Sequence, residues 1–299
     1  MKLATTTGDF GAYTTNQLDA MEYITKAGFK YIDYSFESDY KNQCGIYGDD
    51  FYGYIDEVKT HADKLGVRLV QAHSPMGKPL LDVDGKFLDA TKKCIEACGR
   101  WGIENVVVHS GYRIGLTPEE TFEENKKFFM PLLCETEKYN VNILVENFNK
   151  MTHDDLYWID NAPDLLKMVE YVNHPLFHAV WDTGHANMQQ MPQDEALKIM
   201  GSHIRALHVQ DNMGDYDTHN APFFGSLSLD SLMNGLIDID YDGYFTFEAG
   251  NIFSPTKKRR SFEKDERLLK APLELRIKAE EFLYQIGKSI LTSYDCFEE

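Results

Sequence analysis

Short apolar runs alternate with longer amphipathic segments along the chain, and this alternation restricts the fold more than any other feature. Runs rich in Val, Ile, Leu, Tyr and Phe are typical of buried parallel strands. They predict eight strands, at Lys2–Thr7, Tyr31–Phe36, Arg68–His73, Asn105–His109, Asn142–Asn147, Phe177–Asp182, Ile204–Val209 and Tyr244–Glu248. Helical patterns predict helices at Asn16–Ala27, Asp50–Leu65, Lys86–Trp101, Pro118–Tyr139, Pro163–Val172, Gln193–Met200, Ser228–Ile237 and, with an interruption near Pro272, Lys264–Ile290.

Eight strands that alternate with helices predict an α/β fold, the (β/α)8 or TIM barrel, with an extra C-terminal helix. The length of 299 residues lies in the range of such barrels. No linker or low-complexity segment divides the chain, so residues 1–299 are expected to form a single domain. A doubly wound open sheet is the competing architecture. It is disfavoured because the glycine-rich phosphate loop of such sheets is missing from the sequence.

The net charge of −18 disfavours several classes of partner. Nucleic acids and anionic membranes attract Lys and Arg, so we expect neither as a partner. No apolar run approaches the ~20 residues of a membrane span, and the first residues lack the apolar core of a signal peptide. Five cysteines are few for this length and are typical of reduced thiols. These features together predict a cytoplasmic location.

Potential metal ligands stand at the ends of most predicted strands. Six of the eight strands end in, or next to, an imidazole or a carboxylate: His73, His109, Glu146, Asp182, His208 and Glu248. The first four of these residues follow one another at spacings of 36, 37 and 36 residues, which suits one βα unit per ligand. The carboxyl ends of barrel strands meet at one face, where the catalytic site lies. We therefore expect these side chains to form one site.

The chemistry of this set predicts a divalent metal ion. Each residue alone has an ordinary explanation, such as a solvated histidine or a carboxylate that caps a helix. Together, however, buried carboxylates and imidazoles would repel or desolvate one another in the absence of a cation. Mixed oxygen and nitrogen ligands suit Mn²⁺, Mg²⁺, Co²⁺ or Zn²⁺, and the lack of cysteine ligands argues against a purely structural zinc site.

Four segments carry a resemblance to a known family: LVENF, WDTGHAN, LHVQDN and FEAG. With these segments the chain resembles the xylose-isomerase-like TIM barrels, in particular the sugar epimerase and isomerase branch with its tagatose 3-epimerase and hydroxypyruvate isomerase relatives. The resemblance covers essentially the whole barrel. It implies one divalent metal ion held by Glu146, Asp182, His208 and Glu248.

The same resemblance implies a metal-dependent isomerase or epimerase of a keto sugar or related small polyol. A cation polarises the carbonyl, and two carboxylates exchange a proton through an enediolate. The resemblance assigns these acid–base roles to Glu146 and Glu248, and a contact with substrate oxygen to His185. Other residues expected to contact the substrate are His73, His109, Asn187, Asp211, Asp217 and His219.

Beyond the sugar, the sequence leaves the partners open. A homo-oligomer is compatible with the aromatic content of 13 %. The run Lys257–Arg260 is interpreted either as a solvated loop or as a cationic flap that touches an anionic substrate.

Two alternative functions stay open. The chain also resembles the apurinic endonuclease relatives, which hold three zinc ions, and it offers a candidate for each of their ligands: His73, His109, Glu146, Asp182, His185, His208, Asp217, His219 and Glu248. The acidic net charge argues against a grip on DNA. The segment Gly225-Ser226-Leu227 departs from both patterns. The second alternative is a non-catalytic barrel that binds a small molecule. The number of bound metal ions discriminates among the three functions.

Overall fold

The barrel is built from eight parallel strands that follow one another in chain order. The computed structural model describes residues 1–149, 158–189, 191–253 and 270–299. The strands are β1 Lys2–Thr6, β2 Tyr31–Ser35, β3 Arg68–His73, β4 Asn105–Val107, β5 Asn142–Glu146, β6 Phe177–Asp182, β7 Ile204–His208 and β8 Tyr244–Phe247. Each pairs in parallel with its sequence neighbour, and β1 pairs with β8.

The barrel closes between β7 and β8. Val209 donates its N–H to the carbonyl of Thr246 at 2.7 Å, and Glu248 donates its N–H to the carbonyl of Val209 at 3.1 Å. These bonds satisfy backbone groups that an open sheet would leave at its edge. The prediction of a (β/α)8 barrel is confirmed, and the open sheet is excluded.

The helices surround the barrel. They are α1 Gln17–Lys26, α2 Glu37–Asn42, α3 Phe51–Leu65, α4 Lys86–Trp101, α5 Pro118–Tyr139, α6 Ala162–Val172, α7 Thr183–Asn187, α8 Gln193–Met200, α9 Leu229–Asp238 and α10 Leu273–Ser293. Short 3₁₀ turns lie at Thr7–Phe10, Gly45–Tyr47, Pro79–Leu81 and Gly201–His203. The extra C-terminal helix is α10, which begins directly after Pro272. Residues 264–269, the first part of the range predicted for this helix, lie outside the described residues. The run Lys257–Arg260 also lies outside them.

Local sequence explains most helix boundaries. The start of α5 is a capping box, in which the Thr117 side chain accepts the Glu120 N–H and the Glu120 carboxylate accepts the Thr117 N–H. The helices α2 and α7 were not predicted, because five or six residues are too short to show helical periodicity. Asp182 is the N-cap of α7, and its carboxylate accepts the His185 N–H at 2.6 Å.

The interior of the barrel is divided into an apolar side and a polar side. Alternate residues of a strand share one face. On the apolar side a separate cluster consists of Val107, Leu144, Val180 and Ala206. The last three precede Glu146, Asp182 and His208 by two residues, so each supports a site residue from below. The polar side carries three fully or nearly fully buried residues, Asp33, Gln71 and Thr246.

None of the helices in the described ranges is both long enough and apolar enough to cross a membrane.

Candidate active site at the carboxyl ends of the strands

Four predicted ligands converge at the mouth of the barrel. Potential ligand atoms of Glu146, Asp182, His208 and Glu248 all lie within 4.8 Å of one another. Nδ1 of His208 is 2.9 Å from Oε1 of Glu146 and 3.8 Å from Oε2 of Glu248. Oδ2 of Asp182 is buried and has no hydrogen-bond partner among the residues that the structure describes. Three carboxylates and one imidazole, with an unpaired inward oxygen, fit a divalent cation.

The electrostatics of these four residues show how strongly the site favours charge. Burial works against ionisation, but His208 and His109 hold the pKa of Glu146 well below its usual range. Burial likewise disfavours the charged imidazole, yet Glu248 and Glu146 raise the pKa of His208 well above its usual range. For Asp182, burial dominates and raises the pKa to about 7. For Glu248, burial again opposes ionisation, but His208 and His73 lower the pKa.

Two further histidines surround the other oxygen of Glu146. Oε2 of Glu146 is 2.5 Å from Nε2 of His109 and 3.6 Å from Nε2 of His73. The two imidazole nitrogens are 3.1 Å apart. His73, Glu146 and His208 could hold a metal ion as a group of their own. Glu146 and His208 therefore belong to both groups of possible ligands.

A third group lies on the opposite side of Asp182. Oδ2 of Asp217 is 3.1 Å from Nε2 of His185 and 3.4 Å from Nε2 of His219, and the three residues could also hold a metal ion. Burial opposes the charged form of His185, but Asp182 and Asp217 raise its pKa to about 10. Gln210, whose Nε2 donates to Asp217 Oδ1 at 2.7 Å, fixes the carboxylate. His185 can therefore act as a cationic hydrogen-bond donor.

Two residues predicted to contact the substrate, Asp211 and Asn187, form hydrogen bonds with backbone groups of the loop after β7. Both oxygens of Asp211 accept backbone N–H groups, from Gly225 at 2.9 Å and Leu227 at 3.0 Å. The Asn187 amide donates to the carbonyl of Asn212 at 3.0 Å. These bonds shape the loop after β7, and the described contacts do not join either residue to the ligand cluster. Their role toward a substrate stays a prediction.

The sequence analysis missed three polar residues next to the ligands. Gln210 stands between Asp182 and Asp217, with its Nε2 3.3 Å from Asp182 Oδ1. Asp33 and Gln71 lie below His208, inside the barrel. A detectable signal existed for the last two, because each is a polar residue with an apolar or aromatic neighbour on both sides in a predicted strand.

The fold and the ligand cluster define the class of this protein as a (β/α)8 barrel with a metal-type site at the carboxyl ends of its strands. Residues 21–270 match the model of the xylose isomerase-like TIM barrel family. The chain belongs to this family.

Relatives of known sequence match part of the chain. Fructoselysine 3-epimerase of Escherichia coli O157:H7 is 29 % identical over 146 residues, which are 48 % of this chain and 51 % of that protein. An uncharacterized protein of Methanocaldococcus jannaschii is 27 % identical over 194 residues, 63 % of this chain and 62 % of that protein. The chain thus spans from about half to less than two thirds of the length of these relatives.

Solved structures match almost the entire fold. D-psicose 3-epimerase from Clostridium cellulolyticum H10, solved with D-tagatose, has a TM-score of 0.75 at 15 % identity and covers 97 % of this chain and 99 % of its own. The IOLI protein, solved with a bound zinc atom, has a TM-score of 0.75 at 17 % identity and covers 100 % of both chains. At these identities the likeness concerns the fold.

Proposed function

We propose that this protein is a divalent-metal-dependent epimerase or isomerase of a keto sugar or a related small polyol. One observation carries the proposal: carboxylate oxygens of Glu146 and Glu248 lie 2.9 and 3.8 Å from Nδ1 of His208. Potential ligand atoms of these three residues and of Asp182 all lie within 4.8 Å of one another. Two carboxylates around one cation position are what a proton transfer next to a carbonyl requires. The epimerases among the relatives and the zinc in the IOLI protein support this assignment.

The chemistry divides between a cation and the residues of the chain. A divalent ion held by Glu146, Asp182, His208 and Glu248 would polarise the substrate carbonyl and stabilise the negative charge of the enediolate. The ionised carboxylate of Glu146 would accept the proton from the carbon next to the carbonyl. A proton taken from solvent would return through Glu248, to the opposite face for epimerisation or to the neighbouring carbon for isomerisation. The resting carboxylate of Glu248 is ionised because, against the effect of burial, His208 and His73 lower its pKa. The side chain of Glu248 is 17 % exposed and that of Glu146 only 2 %, so Glu248 exchanges protons with solvent more readily.

The surroundings suit a small polar substrate. A cavity of about 320 Å³ beside His219 is lined by residues of the mouth, among them Asp9, Tyr13 and Asn251. This volume lies within the range of small-molecule sites. His185 already donates to the Asn147 carbonyl at 2.9 Å and to Asp217 at 3.1 Å, which keeps the ring in place, so a substrate oxygen would share the Nε2–H with Asp217. The proposed partner is therefore a sugar-sized molecule and not a nucleic acid.

The experiment that tests this function is a panel of ketoses and their phosphates, incubated with the metal-stripped protein and Mn²⁺, Co²⁺ or Mg²⁺ in D₂O. We expect one deuteron at the exchanged carbon of the product, because the returned proton passes through Glu248. Turnover without any deuterium uptake would contradict the two-carboxylate route. No turnover of any ketose, together with no uptake of metal, would favour the non-catalytic binding barrel.

The second candidate function is a trinuclear-zinc phosphodiesterase. The specific observation in its favour is that three groups of possible ligands meet at the mouth, with Glu146 and His208 shared by two of them. The net charge of −18 disfavours a DNA substrate. About three zinc ions per chain and hydrolysis of a model phosphodiester would establish this candidate, whereas about one ion per chain supports the epimerase.

A further inference from the structure

Asp33 is a buried carboxylate directly beneath the metal-type site. It lies in the middle of β2 and is fully buried. Its Oδ2 is 3.4 Å from Nε2 of Gln71 and 3.6 Å from Nε2 of His208. Its Oδ1 has no hydrogen-bond partner within the described part of the chain. The carboxylate therefore has one long amide contact and one imidazole as its polar neighbours.

Stability alone does not account for an acidic residue at this position. A buried charge costs free energy unless it is paired and hydrogen-bonded. The opposite side of the same interior is filled by apolar residues, Val107, Leu144, Val180 and Ala206, which shows that the barrel accommodates such side chains there. The acidic group below His208 therefore indicates a functional interaction with the His208 side chain.

The two nitrogens of His208 face different partners. Nδ1 faces Glu146 and Glu248 at the mouth, whereas Nε2 faces Gln71 at 2.9 Å and Asp33 at 3.6 Å. Oδ2 of Asp33 is 3.4 Å from Nε2 of Gln71, and the Thr246 hydroxyl is 3.5 Å from Oε1, so the amide nitrogen faces the carboxylate and the ring. In the arrangement seen here Nδ1–H donates to Glu146, and only in the neutral ring is Nε2 left to accept from the Gln71 amide.

A metal ion at Nδ1 requires the other tautomer. A ligating nitrogen carries no proton, so the hydrogen of the neutral ring must then reside on Nε2. The Gln71 amide nitrogen cannot accept that hydrogen, whereas Oδ2 of Asp33 can. An acceptor behind a ligating histidine fixes both its tautomer and its orientation.

We infer that Asp33 is a positioning residue that holds His208 in the Nε2–H tautomer and thereby prepares Nδ1 for the metal ion. The inference rests on the proposed function only through the metal site, and it requires no particular sugar. Gln71 supports the ring in the metal-free state, and Asp33 takes over the hydrogen bond when the ion binds.

The test is a titration of the metal-stripped protein with Mn²⁺, in which binding is measured by calorimetry or from the EPR signal of free Mn²⁺. Asp33→Asn keeps the shape and removes the charge, and we expect the Kd for Mn²⁺ to rise by about 10–100-fold. Asp39→Asn is the matched control, since Asp39 is equally buried but bonds to the Tyr34 hydroxyl at 2.8 Å and touches no ligand. Its Kd should equal that of the wild type. Equal Kd values for Asp33→Asn and the wild type would overturn the inference.

A second measurement keeps the inference testable should Asp33→Asn fold poorly. In the wild-type protein loaded with diamagnetic Zn²⁺, the ¹⁵N spectrum of His208 should show a proton on Nε2. A proton on Nδ1, or a wild type that binds no divalent ion, would overturn the inference. Failure of the proposed function looks different: Mn²⁺ binds, Asp33→Asn weakens it, and no ketose is converted.

Discussion

Glu146 and His208 are in direct contact, with 2.9 Å between Oε1 and Nδ1, although β6 separates their strands β5 and β7 in the barrel. Both side chains point inward, and the curvature of the barrel brings alternate strands together across its interior. The site is therefore assembled by the interior face of the barrel. Glu146, Asp182 and His208 are the last residues of their strands, and Glu248 directly follows β8. The interior residues below them determine the orientation of their side chains.

Glu146→Gln and Glu248→Gln should each lower kcat by about 10²–10⁴-fold, because each removes one partner of the proposed proton transfer. Thermal unfolding should show that both variants stay folded, since glutamine has the same shape. Glu298→Gln is the control and should leave kcat unchanged, because Glu298 is an exposed carboxylate that pairs with the amino group of Met1 at 3.0 Å. Full activity in both active-site variants would contradict the assigned roles.

His219→Ala distinguishes the two enzyme candidates. His219 lies outside the four-ligand group. Its Nε2 is 3.4 Å from Asp217 Oδ2, and its Nδ1–H donates to the Glu248 carbonyl at 2.9 Å. For the epimerase we expect about one bound metal ion in both wild type and variant, and a higher KM in the variant. Element analysis by mass spectrometry measures the ion count. Loss of a bound zinc ion on substitution would favour the phosphodiesterase.

The sequence was sufficient for the barrel and for the residues at its mouth, because both depend on short-range patterns. Short apolar runs locate the strands, and parallel strands bring their carboxyl ends to one face, so the six strand-end residues could be grouped. The family resemblance then selected Glu146, Asp182, His208 and Glu248 as the ligands. Asp33 and Gln71 were not predicted to serve the site. Their role depends on which interior residues lie beneath His208, and this relation follows from barrel closure and stagger.

Contacts between distant segments were equally beyond the sequence. Arg276 of α10 reaches Asp9 after β1 across 267 residues, and no local pattern signals such a pair. For Asp211, the sequence predicted the position of the residue but not its hydrogen-bond partners. The sequence placed it at the mouth, but whether a carboxylate there faces a substrate or caps the backbone N–H groups of a loop depends on the loop conformation.

Asp9→Asn should flatten the dependence of stability on pH. Burial, followed by the charge of Glu280, raises the pKa of Asp9 to about 8 against the opposing effect of Arg276. The folded state therefore holds this proton more tightly than the unfolded state does. The stabilisation is full below the ordinary pKa of 3.8 and is lost as the pH rises through about 8. We expect the Tm of the wild type to fall more steeply between pH 6 and pH 9 than that of Asp9→Asn. Parallel profiles would contradict the raised pKa.

Arg276→Met should be strongly destabilising, because the guanidinium is the buried cation that joins α10 to the barrel. It donates to Glu280 at 2.6 Å and to Asp9 at 3.2 Å, and Glu280 also accepts the Thr5 hydroxyl at 2.5 Å. Without Arg276, Asp9 keeps its proton, but fully buried Glu280 loses its ion-pair partner. We expect a loss of about 3–5 kcal/mol in the free energy of unfolding, measured with urea on the metal-stripped protein.

Two further variants separate the buried charge from the loss of side-chain packing. Arg276→Met combined with Glu280→Gln should recover part of the lost stability, because no unpaired carboxylate remains and the amide can still bond to Thr5. Arg100→Met removes an exposed ion pair with Glu96, whose N–O distance is 2.7 Å, and should change the free energy of unfolding by less than about 1 kcal/mol. A double variant no more stable than Arg276→Met alone would mean that packing, and not charge, is what Arg276 contributes.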